Sequence, residues 1–214
     1  MNFDAPVLLV GNGPIDEGAV ALVRPHCGAV VAADGGLKAA LSHGLHPEAV
    51  IGDMDSCPAD VEQMSDIKII EISDQNTTDF EKCLGLLMAP LILGLGFLGG
   101  RLDHELAALN ALMRSPQNVV LIGDTDLVFR LPKTTHISLP LGTRFSTFPM
   151  AKVSGVSSQG LAWPLTGRAF APDAQISTSN HTTLPEITLT NPAQPLLCIL
   201  PRAHLPATLK LFKS

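Results

Sequence analysis

No two of the four cysteines stand close in the chain: Cys27, Cys57, Cys83 and Cys198 form no C-x-x-C pair. That excludes a cysteine-built zinc site or a disulfide framework at the motif level, and free thiols in a reducing, cytoplasmic setting are expected. Basic residues form no stripe that could neutralise phosphates along a duplex, so no nucleic-acid partner is expected. There is no G-x-x-x-x-G-K-[ST] and hence no P-loop, and no G-x-S-x-G to seat a nucleophilic serine. The opening Met-Asn-Phe-Asp-Ala-Pro has neither a basic segment nor a cleavage signature, so no secretory leader is expected. Residues 83–100 carry no charge, but Pro90 and five glycines interrupt them. They read as a helix end, a turn and a buried strand rather than a membrane span.

What is present is divided unevenly. Residues 1–115 hold 16 acidic and 6 basic side chains, whereas residues 116–214 hold 4 acidic and 8 basic ones. A length of 214 residues accommodates one large domain or two small ones. In the first half, apolar runs at 7–10, 29–33, 49–51, 67–70, 91–95 and 119–122 alternate with amphipathic stretches near 15–24, 36–43, 58–65, 78–88 and 101–114. Uninterrupted apolar strands alternating with helices predict an α/β domain with a doubly wound, mostly parallel sheet. Beyond about residue 124, prolines punctuate short runs such as 145–148, 187–189 and 196–200, and helical periodicity is lost. This predicts a smaller all-β domain, a sandwich or barrel. The expected division is an α/β domain over 1–130 and a β domain over 131–214.

Two helix starts are signed. Thr78-Asp79-Phe80-Glu81 is a capping box, followed by Phe80, Leu84 and Leu87 on one face. The helix after Gly99-Gly100 has Leu102, Leu106, Leu109 and Met113 as its expected buried stripe. Asp79 and Asp103 then lie in first turns, near positive helix ends.

Carboxylates beside glycines recur through the first half, a pattern suited to a hard cation and the phosphates it carries. Asp53 and Asp55 follow the apolar run 49–51 two residues apart, so on an extended segment they converge at a strand's carboxyl end. Mg²⁺ would relieve their repulsion; turn and cap chemistry is the alternative reading. Gly94-x-Gly96-x-x-Gly99 stands where a dinucleotide fingerprint would stand, which keeps a nicotinamide-dependent dehydrogenase in view. The same glycines can bring helix N-terminal amides to a phosphate, with Arg101 as a cationic fork. His104 beside Asp103 reads as packing or hydrogen bonding more readily than as acid–base chemistry.

Ala33-Asp34-Gly35-Gly36, Ile51-Gly52-Asp53-Met54-Asp55-Ser56, Thr78-Asp79-Phe80-Glu81-Lys82-Cys83-Leu84 and Gly99-Gly100-Arg101-Leu102-Asp103-His104 occur in that order. Gly160-Leu161-Ala162-Trp163-Pro164-Leu165 and Ser179-Asn180 follow them. The succession resembles the thiamine pyrophosphokinase family over about residues 33–181. The resemblance implies an α/β nucleotide domain, a β-sandwich domain, and a homodimer with thiamine held between subunits. It implies transfer of a pyrophosphoryl group from ATP to the hydroxyl of thiamine, releasing AMP. Asp53, Asp55 and Asp79 would hold Mg²⁺, and Asp103 would complete that site or orient the alcohol. Arg101 and Lys82 would steady phosphate oxygens. Asp34, Gly35, Gly36, Gly99 and Gly100 would line the nucleotide site. Trp163, the only tryptophan in a chain without tyrosine, would stack on thiamine, and Ser179 and Asn180 would hydrogen-bond its pyrimidine. The chain departs from the family at Asn76, where an aspartate metal ligand is usual, and at Gln75 and Gln159, substrate-side positions where lysines are common. A catalytically weakened thiamine-binding protein is therefore the second reading.

Overall fold

The structure, a computed structural model, describes residues 1–58, 64–192 and 195–213. The chain divides into two compact units, Met1–Asp124 and Thr125–Ser214.

The first unit is built on six parallel strands: β1 (Val7–Val10), β2 (Ala29–Ala33), β3 (Ala49–Gly52), β4 (Lys68–Glu71), β5 (Ile92–Leu95) and β6 (Val119–Ile122). Their order is β4-β3-β2-β1-β5-β6, and every pairing is parallel. Among the described residues, four helices connect them: α1 (Glu17–Val23), α2 (Gly36–Ser42), α3 (Asp79–Leu86) and α4 (Leu102–Arg114). The helix expected over 58–65 falls largely outside the described residues. Strands β1, β2, β3, β5 and β6 are buried throughout, as their uninterrupted apolar runs require when helices cover both faces. The edge strand β4 differs: Lys68, Ile69 and Glu71 are exposed, because among the described residues no strand pairs with its outer side. Leu8, Leu9, Ile92, Leu93 and Leu121 are fully buried, each worth about 1.5–3 kcal/mol of removed apolar surface.

The capping box on α3 is complete. Thr78 Oγ1 accepts from the Glu81 N–H, and Glu81 Oε2 accepts from the Thr78 N–H at 2.9 Å. Phe80, Leu84 and Leu87 are buried as expected. The stripe expected on α4 is buried only in part, with Leu109 and Met113 half-buried. Leu102 and Leu106 are 71% and 54% exposed, and the buried face is Ala108, Ala111 and Leu112. The helix is apolar on two sides, so periodicity alone could not choose between them, and the alanine side allows the closer approach to its neighbours.

The second unit contains β7 (Asp126–Arg130), β8 (Thr134–Ser138), β9 (Ser146–Pro149), β10 (Ser157–Gln159), β11 (Glu186–Thr190) and β12 (Leu196–Pro201). Two antiparallel sets form, β7-β12-β9 and β10-β11-β8. In β8 and β11 buried residues alternate with outward ones, the signature of a sheet covered on one face. The loss of helical periodicity is not total: a short helix, α5 (Leu205–Leu209), lies between two 3₁₀ turns near the end of the chain. Among the described residues no helix is long and apolar enough to cross a membrane.

Candidate active site

Strand order in the first unit reverses at β1, which has β2 on one side and β5 on the other. Loops leaving the carboxyl ends of such strands diverge to opposite faces and open a crevice, where ligands of doubly wound sheets bind. A cleft of about 620 Å³ lies there. Its walls are Gly11, Asn12, Gly13 and Pro14 after β1, Asp34 and Gly35 after β2, Asp53 and Ser56 after β3, and Gly96 and Phe97 after β5. Thr77, Thr78, Asp79 and Lys82 at the start of α3, and Arg101, His104 and Glu105 at the start of α4, complete it.

Carboxylate oxygens of Asp34, Asp53 and Asp79 lie within 4.8 Å of one another. Asp34 is 3% exposed; its Oδ2 accepts from the Ser56 N–H at 3.1 Å, while its buried Oδ1 has no hydrogen-bond partner. A buried acceptor left unpaired is costly, and an oxygen-seeking ligand would satisfy it. Lys82, almost fully buried, reaches across the cluster from α3. Its Nζ donates to Asp79 Oδ1 at 2.9 Å and to Asp53 Oδ2 at 3.1 Å. The hydrogen bond from Lys82 is the main reason that the Asp53 carboxyl is held below its ordinary range; the Asp55 N–H and the Gln75 amide assist against some burial. Burial works against the Lys82 charge, but the two carboxylates outweigh it and raise the ammonium above its usual value.

Backbone geometry brings the cluster together. Three non-glycine residues among those described have positive φ: Asp34 (+38°), Met54 (+67°) and Ser179 (+58°). Such conformations are unfavourable for L-residues and concentrate at functional sites. Asp34 lines this cleft, and Met54 directly follows its Asp53. Gly52 is required by close approach, since a Cβ there would stand 2.6 Å from Asp34 Cβ and 3.1 Å from Asp79 Oδ1. Gly36 is required likewise, its absent Cβ falling 2.1 Å from the Val10 carbonyl oxygen.

In the second unit Trp163 is 53% exposed, with the His181 ring at right angles to it and 5.3 Å away between centroids. Beneath them Asn180, 1% exposed, accepts from the Trp163 and His181 N–H groups and donates to the Trp163 carbonyl.

Two family models match this chain in succession. Thiamin pyrophosphokinase, catalytic domain, matches residues 21–123, and Thiamin pyrophosphokinase, vitamin B1 binding domain, matches residues 130–193. The chain belongs to the thiamin pyrophosphokinase family. Thiamine pyrophosphokinase 1 of Oryza sativa subsp. japonica is 36% identical over 154 residues, which are 63% of this chain and 58% of that protein. Thiamine pyrophosphokinase 2 of Arabidopsis thaliana gives the same identity and coverage. The chain thus spans somewhat over half the length of these curated relatives. Among solved structures, the thiamin pyrophosphokinases of Geobacillus thermodenitrificans and Candida albicans both superpose with TM-score 0.75, at 22% and 20% identity. They cover 92% of this chain and 96% and 89% of their own, and at that identity they speak for the fold. The dehydrogenase and weakened-binder readings are not favoured by these matches.

Against this family frame, the residues expected from sequence fall into groups. Asp34, expected only to line the nucleotide site, joins Asp53 and Asp79 in the cluster. Asp55 does not converge with Asp53 in the manner its spacing predicts, because Met54 turns left-handed and the segment is not extended; Asp55 is exposed and its N–H caps Asp53 Oδ1 at 3.4 Å. Asp103 lies outside the cluster, exposed and held by the Arg101 guanidinium through Nε at 3.1 Å and Nη2 at 2.6 Å, which brings its carboxyl down to about 2. Asn76 is exposed and turned onto Asp74, its N–H and Nδ2 both 3.0 Å from Asp74 Oδ1. Gln75 touches the acid cluster, donating to Asp53 Oδ2 at 3.2 Å. Gly35 and Gly100 line the cleft; Gly36 packs beneath it, and the Gly99 N–H donates to Glu105 Oε2. Gln159 is exposed at the end of β10 and Ser179 is exposed beside Asn180. Sequence reasoning missed Gly11-Asn12-Gly13-Pro14; a glycine pair directly after the first apolar strand was the available signal.

Proposed function

We propose that the protein is a thiamine pyrophosphokinase, transferring the pyrophosphoryl group of ATP to the hydroxyl of thiamine to give thiamine diphosphate and AMP. The observation that carries this is the Asp34–Asp53–Asp79 cluster at the carboxyl edge of a parallel sheet, within a chain matched in both halves by one family's models. ATP fits a cleft whose loops are rich in glycine and whose rim carries Arg101. The cluster also fits Mg²⁺. Its donors are all oxygens, one is buried without a partner, and an ammonium already lies among them. Asp34, Asp53 and Asp79 would hold the ion, and when bound it would neutralise charge on the triphosphate.

Phosphoryl chemistry of this kind depends on positioning and charge balance more than on covalent participation. Lys82 holds the Asp53 and Asp79 carboxylates in place through its two hydrogen bonds. Arg101, oriented by Asp103 at the exposed rim, would meet phosphate oxygens. In this reading residues 1–130 hold the nucleotide and residues 131–214 the vitamin, with Trp163 stacking on the planar heterocycle. We read the protein as a homodimer, for which the exposed Leu102 and Leu106 of α4 offer apolar surface, and as cytoplasmic, in keeping with its free cysteines.

Incubation with ATP, Mg²⁺ and thiamine, with products identified by mass, tests the activity. Thiamine diphosphate and AMP appearing only when all three are present is the expected result. No product, together with no heat of thiamine binding by calorimetry, rejects the reading; sedimentation equilibrium decides the dimer.

A further inference from the structure

An exposed tryptophan ordinarily rotates freely, yet Trp163 is held from two directions. Asn180 grips its backbone: Oδ1 accepts from the Trp163 N–H at 3.1 Å and Nδ2 donates to the Trp163 carbonyl at 2.7 Å. The same side chain accepts from the His181 N–H at 2.9 Å and lies 3.4 Å from Ser177 Oγ. A carboxamide offers two donors and two acceptors. All of them are engaged inside the protein, so Asn180 retains nothing for a ligand. From the side, the His181 ring stands perpendicular to the indole at 5.3 Å.

The loop carrying these residues is itself constrained. Ser179 adopts φ +58°, and its N–H donates to Ser146 Oγ of β9 at 3.0 Å. The Asn180 carbonyl accepts from the Phe145 N–H at 2.7 Å, and the His181 carbonyl from the Ala162 N–H at 2.9 Å. A left-handed non-glycine residue turns Asn180 inward and His181 outward at adjacent positions. Conformational strain is thereby stored beside a half-exposed aromatic ring, a combination that packing alone does not require.

We propose that Asn180 and His181 are positioning residues: they fix the plane of the Trp163 indole so that it is preorganised for a flat cationic heterocycle, without touching that ligand themselves. The inference rests on the reading of thiamine as the substrate. Preorganisation lowers the cost of ordering on binding, so its loss appears in affinity rather than in turnover.

Because Trp163 is the only tryptophan and there is no tyrosine, intrinsic fluorescence reports this ring alone. The test compares the wild-type chain with Asn180→Ala, His181→Ala and His181→Phe, measuring Trp163 anisotropy without ligand, thiamine titration by fluorescence, and steady-state rates. Asn180→Ala and His181→Ala are expected to lower the anisotropy and raise the KM and Kd for thiamine by about tenfold, with kcat and the KM for ATP within about twofold. His181→Phe, which retains a ring for the perpendicular contact, is expected to restore both readouts. Unchanged anisotropy overturns the proposal, as does lowered anisotropy with an unchanged KM for thiamine. Should Asn180→Ala fail to fold by circular dichroism, the half-exposed His181 variants decide on the same criteria. A wild-type chain with neither a fluorescence response to thiamine nor product sinks the substrate reading itself, whereas the ligand-free anisotropy still reports on the positioning.

Discussion

Replacing Lys82 by methionine removes the ammonium that bridges Asp53 and Asp79 while keeping most of the side-chain volume. The Lys82 side chain is 2% exposed, and it leaves behind the carboxylates of Asp53 and Asp79, with Asp34 beside them. Breaking a buried ion pair costs about 3–5 kcal/mol when the remaining charge is fully enclosed. Here Asp53 and Asp79 are 18% and 32% exposed, so water screens part of the repulsion, and about 2–3 kcal/mol is the expected loss. For a unit of this size that corresponds to a melting midpoint lower by about 10 °C. Far-UV circular dichroism in EDTA is the assay, since Trp163 fluorescence would report the second unit alone. Mg²⁺ should then stabilise the variant more than the wild type, because the ion no longer competes with an ammonium; at tenfold its dissociation constant it contributes about 1.4 kcal/mol. A Lys82→Met protein that melts with the wild type in EDTA, or gains nothing more from Mg²⁺, refutes the electrostatic account of the cluster.

The same cluster predicts a pH window. Lys82 is held above its ordinary value, so its contribution is complete below about 10.4 and is lost as pH rises through the folded value. Asp53 is held below its own, so its contribution is complete above about 3.9 and is lost as pH falls through the folded value. The stability gap between wild type and Lys82→Met should therefore be flat from about pH 5 to 9 and shrink in stronger acid; a gap unchanged at about pH 2 would contradict the assignment. Gly52→Ala should cost about 1–3 kcal/mol and most of the turnover, because the new methyl group meets Asp34; wild-type rates would mean that the approach of β2 and β3 is looser than described. Burial pushes Cys27 up to about 12, and burial together with the nearby Asp34, Asp79 and Asp53 does the same for Cys57. At pH 7.5 their thiolate fractions are on the order of 10⁻⁴ or less, so iodoacetamide should leave both unlabelled by mass spectrometry of the folded protein, and rapid labelling would falsify this.

Much of the first unit was legible residue by residue. The run at 29–33 is a strand because five consecutive small or β-branched apolar residues suit only a position covered on both faces, and β2 occupies that span. Thr78 and Glu81 mark a helix start by chemistry that needs no distant partner, and the capping box forms as written. The α4 stripe was not legible, because leucines and alanines line two sides of one helix and only its neighbours choose between them. Nor was the pairing of Asp53 with Asp34 rather than Asp55, since one left-handed residue at Met54 cancels the two-residue alternation on which the spacing argument rests.

The sequence by itself therefore determined the local elements and the class of chemistry: glycines where backbones close in, carboxylates at strand and helix ends, a single indole with a polar loop to follow. These are consequences of short-range sterics and hydrogen bonding. Only the tertiary structure decided which carboxylates meet, that Lys82 lies among them, and that Asn180 faces Trp163 rather than solvent. Asp34, Asp53 and Asp79 meet through the order of parallel strands, Asn180 meets Trp163 from 17 positions away, and the left-handed non-glycine residues Asp34, Met54 and Ser179 shape both places in ways that periodicity does not encode.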